Sequence, residues 1–150
     1  MNRFITIILF MFGMASILLN AQSSPTFKCA SGNLSEEKPA TADAIKTFWE
    51  KLESALEKND KRSLSKMAHY PLSVFSANKF SVQSETDFIK DFDRIFPKNL
   101  REMLIRQRSE CISRVGAQGF SVGSGQIWFD QYPDGKVRFF SVNAVVYAGE

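Results

Sequence analysis

The chain has 150 residues, with 19 basic and 16 acidic side chains and a formal charge of +3 at pH 7. So mild a charge argues against nucleic acid as the main partner, and the length suits one domain with a core of its own. One histidine and two cysteines, with no CxxC or HExxH pattern, leave no motif for a metal centre, so neither metal nor cofactor is expected.

Residues 1–21 read as a secretory signal peptide. Arg3 supplies the basic start, Phe4 to Leu19 an apolar run, and Ala21 the small residue for cleavage. The run is short for a membrane span of about 20 residues. The mature chain is therefore expected to be exported, periplasmic or secreted, with no stable membrane anchor. Export permits a disulfide between Cys29 and Cys111, which would close a long loop and contribute about 3–4 kcal/mol in the chain-entropy model. Residues 22–40 are polar and carry Pro25, Gly32 and Pro39, as a flexible leader would. Residues 41–150 then form a single domain.

The domain opens on a helix capped by Thr41 or Asp43. Ile45, Phe48, Trp49, Leu52 and Leu56 fall at steps of three and four and make one apolar stripe. Asn59 ends it, and Asp60 caps a second helix carrying Leu64, Met67 and Ala68. His69-Tyr70-Pro71 stops that helix, because a residue before proline avoids the α region. Leu72 to Phe75 and Lys79 to Gln83 are short strands around Ala77-Asn78. Ser84 to Asp87 resembles a capping box for a third helix, whose stripe is Phe88, Ile89, Phe92, Ile95 and Phe96. Pro97 interrupts it, and Leu100, Met103 and Leu104 mark a further helical turn.

Glu110 to Val115 is expected as a strand and Gly116 to Gly119 as a turn. Phe120 to Val122 leads into a long hairpin, Gly125 to Tyr147. Its turn is Tyr132-Pro133-Asp134-Gly135, with proline and aspartate at the central positions of a type I turn and glycine at the left-handed position after them. That turn pairs Tyr132 with Lys136. Asp130 then faces Arg138, Phe129 faces Phe139, Trp128 faces Phe140 and Ile127 faces Ser141. The whole order is helix-helix-strand-strand-helix-strand-strand-strand. It predicts an α+β domain, with helices on one face of a curved antiparallel sheet.

In this register Ile127, Phe129, Val137 and Phe139 form a core row. The other face is wet at the tip, where Asp130 meets Arg138, and apolar beyond it, with Trp128, Phe140, Val142, Ala144 and Val146. One helical layer cannot cover both faces. Trp128, Phe140 and Val142 are therefore expected to form a contact surface for a second copy or another protein. A β-bulge near Phe139-Phe140 is the alternative, since it would swap the faces and keep the patch inside.

Three features, Phe48-Trp49 on the opening helix, the Tyr70-Pro71-Leu72 step into the first strand and Gly125-Gln126-Ile127-Trp128-Phe129 entering the hairpin, resemble the NTF2-like (cystatin-like α+β cone) superfamily. The resemblance runs from Ala42 to Tyr147 and is to secreted bacterial members of unassigned function. That superfamily includes isomerases and dehydratases, small-ligand binders and dimeric interaction modules, and fold does not choose among them. The expected function is a non-catalytic binding or protein-interaction module, with Trp49 among its binding residues. A homodimer, a protein partner or a small apolar ligand would occupy it. The alternative is a small isomerase- or dehydratase-like enzyme with His69, Tyr70 or Asp91 as catalytic candidates. His69 would be a general base near neutral pH. Asp91, which shares a helix face with Asp87, would be a carboxylate raised in pKa by an apolar cone. A third reading is an envelope immunity or inhibitor-type protein acting by surface complementarity.

Overall fold

The computed structural model describes residues 32–107 and 109–146. The expected signal peptide and Cys29 lie outside the described residues. Helix α1 (Pro39–Glu57) begins at its proline, where a missing N–H costs nothing in the first turn. It starts two residues before the nearer of the two expected caps, and no side chain caps it. Its buried stripe is Ile45, Phe48, Trp49, Leu52, Ala55 and Leu56. Asn59 turns the chain with φ of 51°, a conformation asparagine tolerates better than most residues. Asp60 then caps α2 (Lys61–Met67) as expected, accepting the Ser63 N–H at 3.0 Å.

Strand β1 (Ala68–Phe75) starts four residues earlier than local pattern suggests, so Ala68 and His69 leave the helix assigned to them. The cause is long-range: Ala68 aligns with Phe139 of a strand far along the chain. The chain returns through β2 (Phe80–Val82). The single third helix expected from the phenylalanine stripe is two short ones, α3 (Glu85–Lys90) and α4 (Phe92–Ile95), and the helical turn expected after Pro97 is α5 (Lys98–Ile105). Ser84 caps α3 by accepting the Asp87 N–H at 3.2 Å. The break at Asp91 lets Phe88, Phe92 and Phe96 converge, with ring centroids 5.9–6.1 Å apart. Phe139 meets two of those rings from the sheet.

Four strands follow rather than three: β3 (Ser113–Arg114), β4 (Phe120–Val122), β5 (Ile127–Gln131) and β6 (Val137–Asn143). Phe120 to Val122 does not run into the hairpin. It turns back at Gly123 and Gly125, both at positive φ, and pairs antiparallel with β5. The sheet order is β2-β1-β6-β5-β4-β3. It is mixed, since β1 and β6 run parallel, and this corrects the antiparallel sheet expected from sequence.

The hairpin turn forms as predicted, with Tyr132 N–H to the Lys136 carbonyl at 2.8 Å and Gly135 at φ of 79°. Asp130 aligns with Arg138 and Phe129 with Phe139. The register then slips. Trp128 aligns with Ser141 and Ile127 with Val142, leaving Phe140 as the extra residue of a bulge. Val142 therefore faces the helices and is fully buried. The outer face keeps Ser73, Trp128, Asp130 and Asn143, each at least partly exposed.

Residues 32–38, expected in a flexible leader, hold a 3-10 turn, Leu34–Glu36. The Asn33 side chain accepts the Arg114 N–H at 2.7 Å, Glu37 pairs with the Arg114 guanidinium at 3.4 Å, and Leu34 packs on the core.

Candidate functional site

The side of the sheet that the helices cover, where a cone would hold its ligand, is filled. Trp49, Phe88, Phe92, Phe96, Phe120, Phe129 and Phe139 are its largest fully buried side chains. Phe129 sits at the centre, 5.1 Å from Phe48, 6.4 Å from Trp49 and 6.1 Å from Phe120 between ring centroids. The buried polar residues among those described are Ser65, Gln107, Ser121, Gln126 and Ser141, without a carboxylate or imidazole.

The three catalytic candidates are dispersed. His69 lies on β1, not at a helix end, and stacks on Tyr132 at 4.6 Å with 9° between the rings. This joins β1 to the hairpin tip. The Tyr70 hydroxyl instead donates to the Ser65 carbonyl at 2.8 Å. Burial pushes its phenol above the ordinary value, and the nearby charges of Glu85 and Asp87 push the same way, so it stays protonated and donating. Asp91 sits between α3 and α4 and accepts from Arg94 Nη1 at 2.8 Å on the surface. Asp87 is engaged with Ser84. Asp93 is exposed, and hydrogen bonds from Arg101 and Lys61 hold its carboxyl below the usual range. Nothing brings His69, Tyr70 and Asp91 to one point.

Trp49 and Val142, both expected at a binding surface, belong to the core, at 1% and 0% exposure. The bulge explains Val142, because one extra residue in β6 reverses which side chains point outward beyond it. Trp49 lies on the buried stripe of α1, where its indole packs against Phe129 and its Nε1 has no protein partner. Cys111 is buried. Its expected partner, Cys29, is outside the described residues. In the basic stretch, Arg101 is tied to Asp93 and the Phe96 carbonyl, and Arg114 to Glu37. Arg108 is not described.

What remains is the outer face around Trp128 and Phe140. Trp128 is half-buried and its Nε1 donates to the Gly125 carbonyl at 3.1 Å. A Cβ on Gly125 would meet the indole at 3.4–3.8 Å, an ordinary van der Waals contact, so it is the positive φ of 86° that favours glycine there. Beside it, Phe140 lines an open cavity of about 390 Å³ with Gln118, Asp130, Gln131, Tyr132 and Pro133. Arg138 does not close the cavity by pairing with Asp130, the residue opposite. Its guanidinium takes both oxygens of Asp134 in the turn, and Asp130 accepts the Gln131 N–H. Gln118 and Tyr132 were not foreseen as site residues. The tip of the hairpin pointed to Tyr132, but Gln118 comes in from a 3-10 turn, Gly116–Gln118, whose placement is a tertiary matter. Two further open hollows of about 500 and 420 Å³ share Lys51, Lys66 and Met67 along α1 and α2. Their walls mix long basic side chains with Asp43, Glu50 and Asp60, as a solvated helix face does.

Among the described residues no helix is long and apolar enough to cross a membrane, and no group of three or more histidine, cysteine or acidic residues is placed to hold a metal ion. Against known proteins, the chain matches no family model, no curated protein and no solved structure.

Proposed function

We propose that the chain is a non-catalytic binding module of NTF2-like form, exported to the periplasm or beyond, that takes its ligand or partner on the outer face of the sheet. The observation that carries this is the inversion of the two faces. The helix-covered face is packed with aromatic side chains, while the outer face pairs a pinned, half-buried indole with an open cavity beside Phe140. A hollow with an aromatic wall and a few polar groups is the usual form of a binding site. Two leading helices and all helical packing on one face of the sheet support the NTF2-like reading.

Two variants of the mature chain, Trp128→Ser and Phe140→Ser, test it. Both positions are outside the packed core, so both proteins are expected to fold with near wild-type melting. Each is expected to lose binding to any ligand or partner the wild type takes. A self-associating wild type whose sedimentation drops to that of a monomer in both variants identifies the partner as a second copy. Full binding retained in both variants overturns the outer face as the site.

A further inference from the structure

The chain sets its own cations against many of its rings. A lysine or arginine lies 4.3–5.4 Å from the ring centroids of Phe75, Phe80, Phe92, Phe120 and Tyr132. Phe140 differs. It is the extra residue of the β6 bulge and half-buried on the outer face, and no ring or cation of the described residues stacks on it. In the cavity of about 390 Å³ that it lines, Asp130 is the one charged side chain among the described residues. The cross-strand partner of Asp130, Arg138, is turned away from it. Arg138 gives both terminal nitrogens to Asp134 and lines the separate hollow against α1 and α2, together with Lys136. Asp130 therefore has no ion pair among the described residues. Its Oδ1 accepts the Gln131 N–H at 2.8 Å, and no hydrogen bond among them reaches its Oδ2. The side chain is also held in place, because it lies close over Gly119. A Cβ on that glycine would stand 3.2 and 3.3 Å from the Cβ and Cγ of Asp130.

We propose that this cavity binds a primary alkylammonium ion, with the ammonium on Asp130 Oδ2 and the alkyl stem against Phe140. This rests on the outer-face reading above and names its ligand class. A ring face attracts a cation, and a carboxylate beside it adds a charge-assisted hydrogen bond. The remaining N–H groups of a primary ammonium have acceptors in the same wall. Gln131 donates its Nε2 to the Gly135 carbonyl at 3.2 Å, which leaves its Oε1 to accept, and Gln118 brings a second side-chain amide. Pro133 and Ala117 extend the apolar wall for the stem. The volume is in the range of small-molecule sites. An anion would meet Asp130 there and no basic side chain of the described wall. A neutral ligand would desolvate the carboxylate without pairing it, which costs binding energy. Arg138 does not oppose a cation, because Asp134 neutralises it and the charge of Asp130 is left over.

The test is a titration of the isotope-labelled mature chain with butylammonium, followed by amide chemical shifts. Tetramethylammonium is the cation without N–H donors, and butanoate is the anion on a similar stem. Nα-acetyl-lysine methylamide offers the same ammonium as a protein side chain would. The expected result is a saturable shift centred on Gln118, Asp130, Gln131 and Phe140 with butylammonium, a weaker one with tetramethylammonium and none with butanoate. Asp130→Asn keeps the Oδ1 acceptor for Gln131 and removes the charge. It is expected to lower the affinity at least tenfold. Phe140→Leu keeps an apolar side chain and removes the ring, for a loss of about three- to fivefold. Tighter binding of the lysine derivative than of butylammonium identifies a protein side chain as the source of the ammonium, and the reverse order identifies a free amine. Absence of a saturable shift with every ammonium overturns the proposal. So does unchanged affinity in Asp130→Asn, or tetramethylammonium binding as tightly as butylammonium. If Trp128→Ser and Phe140→Ser then still lose a different ligand or partner, the outer face stands as a binding site and only the ligand class falls. If those two variants keep all binding, both readings fall.

Discussion

Gly119 occupies a backbone region, φ 94° and ψ −152°, that is essentially reserved for glycine. A Cβ there would stand 2.8 Å from the Phe129 carbonyl oxygen, so two costs fall on one substitution. Gly119→Ala is expected to destabilise by about 2–3 kcal/mol. Gly116, at φ 54° with nothing within 4 Å of an added Cβ, is the control. Gly116→Ala meets only the left-handed penalty of about 1 kcal/mol, and urea unfolding of the two variants separates strain from clash. Asp134 is a residue-scale switch of another kind. Its hydrogen bonds from Arg138 hold the carboxyl down at about 2, below the ordinary 3.8. A folded-state value below the unfolded one contributes stability that is complete above 3.8 and lost as pH falls through about 2. Asp134→Asn should therefore melt below the wild type at pH 6, and the two curves should meet near pH 2. A gap that persists at pH 2 would assign the effect to the turn backbone and not to the charge.

At the scale of elements, most of what local chemistry encodes is where it was read. The Asp60 and Ser84 caps, the apolar stripe of α1 and the Pro-Asp-Gly turn depend on neighbours within a few residues. What local chemistry could not encode was decided by distant partners. Ala68 and His69 join a strand because Phe139 lies beside Ala68, and the Phe88–Phe96 stripe breaks into separate helices so that three rings converge and two of them meet Phe139 of the sheet. The bulge at Phe140 is the largest such case. It was foreseen only as an alternative, because the regular register gave chemically sensible pairs as well. The bulge has a direct test. With Val142 turned inward and fully buried, Val142→Ser leaves a void and a buried hydroxyl, at a cost of about 2–4 kcal/mol. Asn143→Ser, one residue on and half-exposed, should stay within about 0.5 kcal/mol. Equal and small effects in urea unfolding would mean that the hairpin runs without the bulge and Val142 faces outward.

Over the whole molecule, the sheet ends in two short edges, β2 of three residues and β3 of two. Short edges limit strand-to-strand association, and the β3 edge has a second protection. Its Arg114 N–H, which would otherwise face outward as an unpaired donor, is taken by Asn33 Oδ1 at 2.7 Å. Glu37 holds the same residue by its guanidinium. Segment 32–38 thus acts as a side-chain cover for the sheet edge, and Leu34 anchors it on the core. Removing the acceptor leaves a partly buried N–H without a protein partner, so Asn33→Ala is expected to cost about 1–2 kcal/mol. Asn33→Asp keeps an acceptor oxygen at the same place and should recover most of that loss. Hydrogen exchange supplies the local readout. The Arg114 amide should exchange faster in Asn33→Ala by at least tenfold, while amides in β1 and β6 change only as far as global stability does. Uniform acceleration across all strands would show instead that Asn33 contributes to overall folding without guarding the edge.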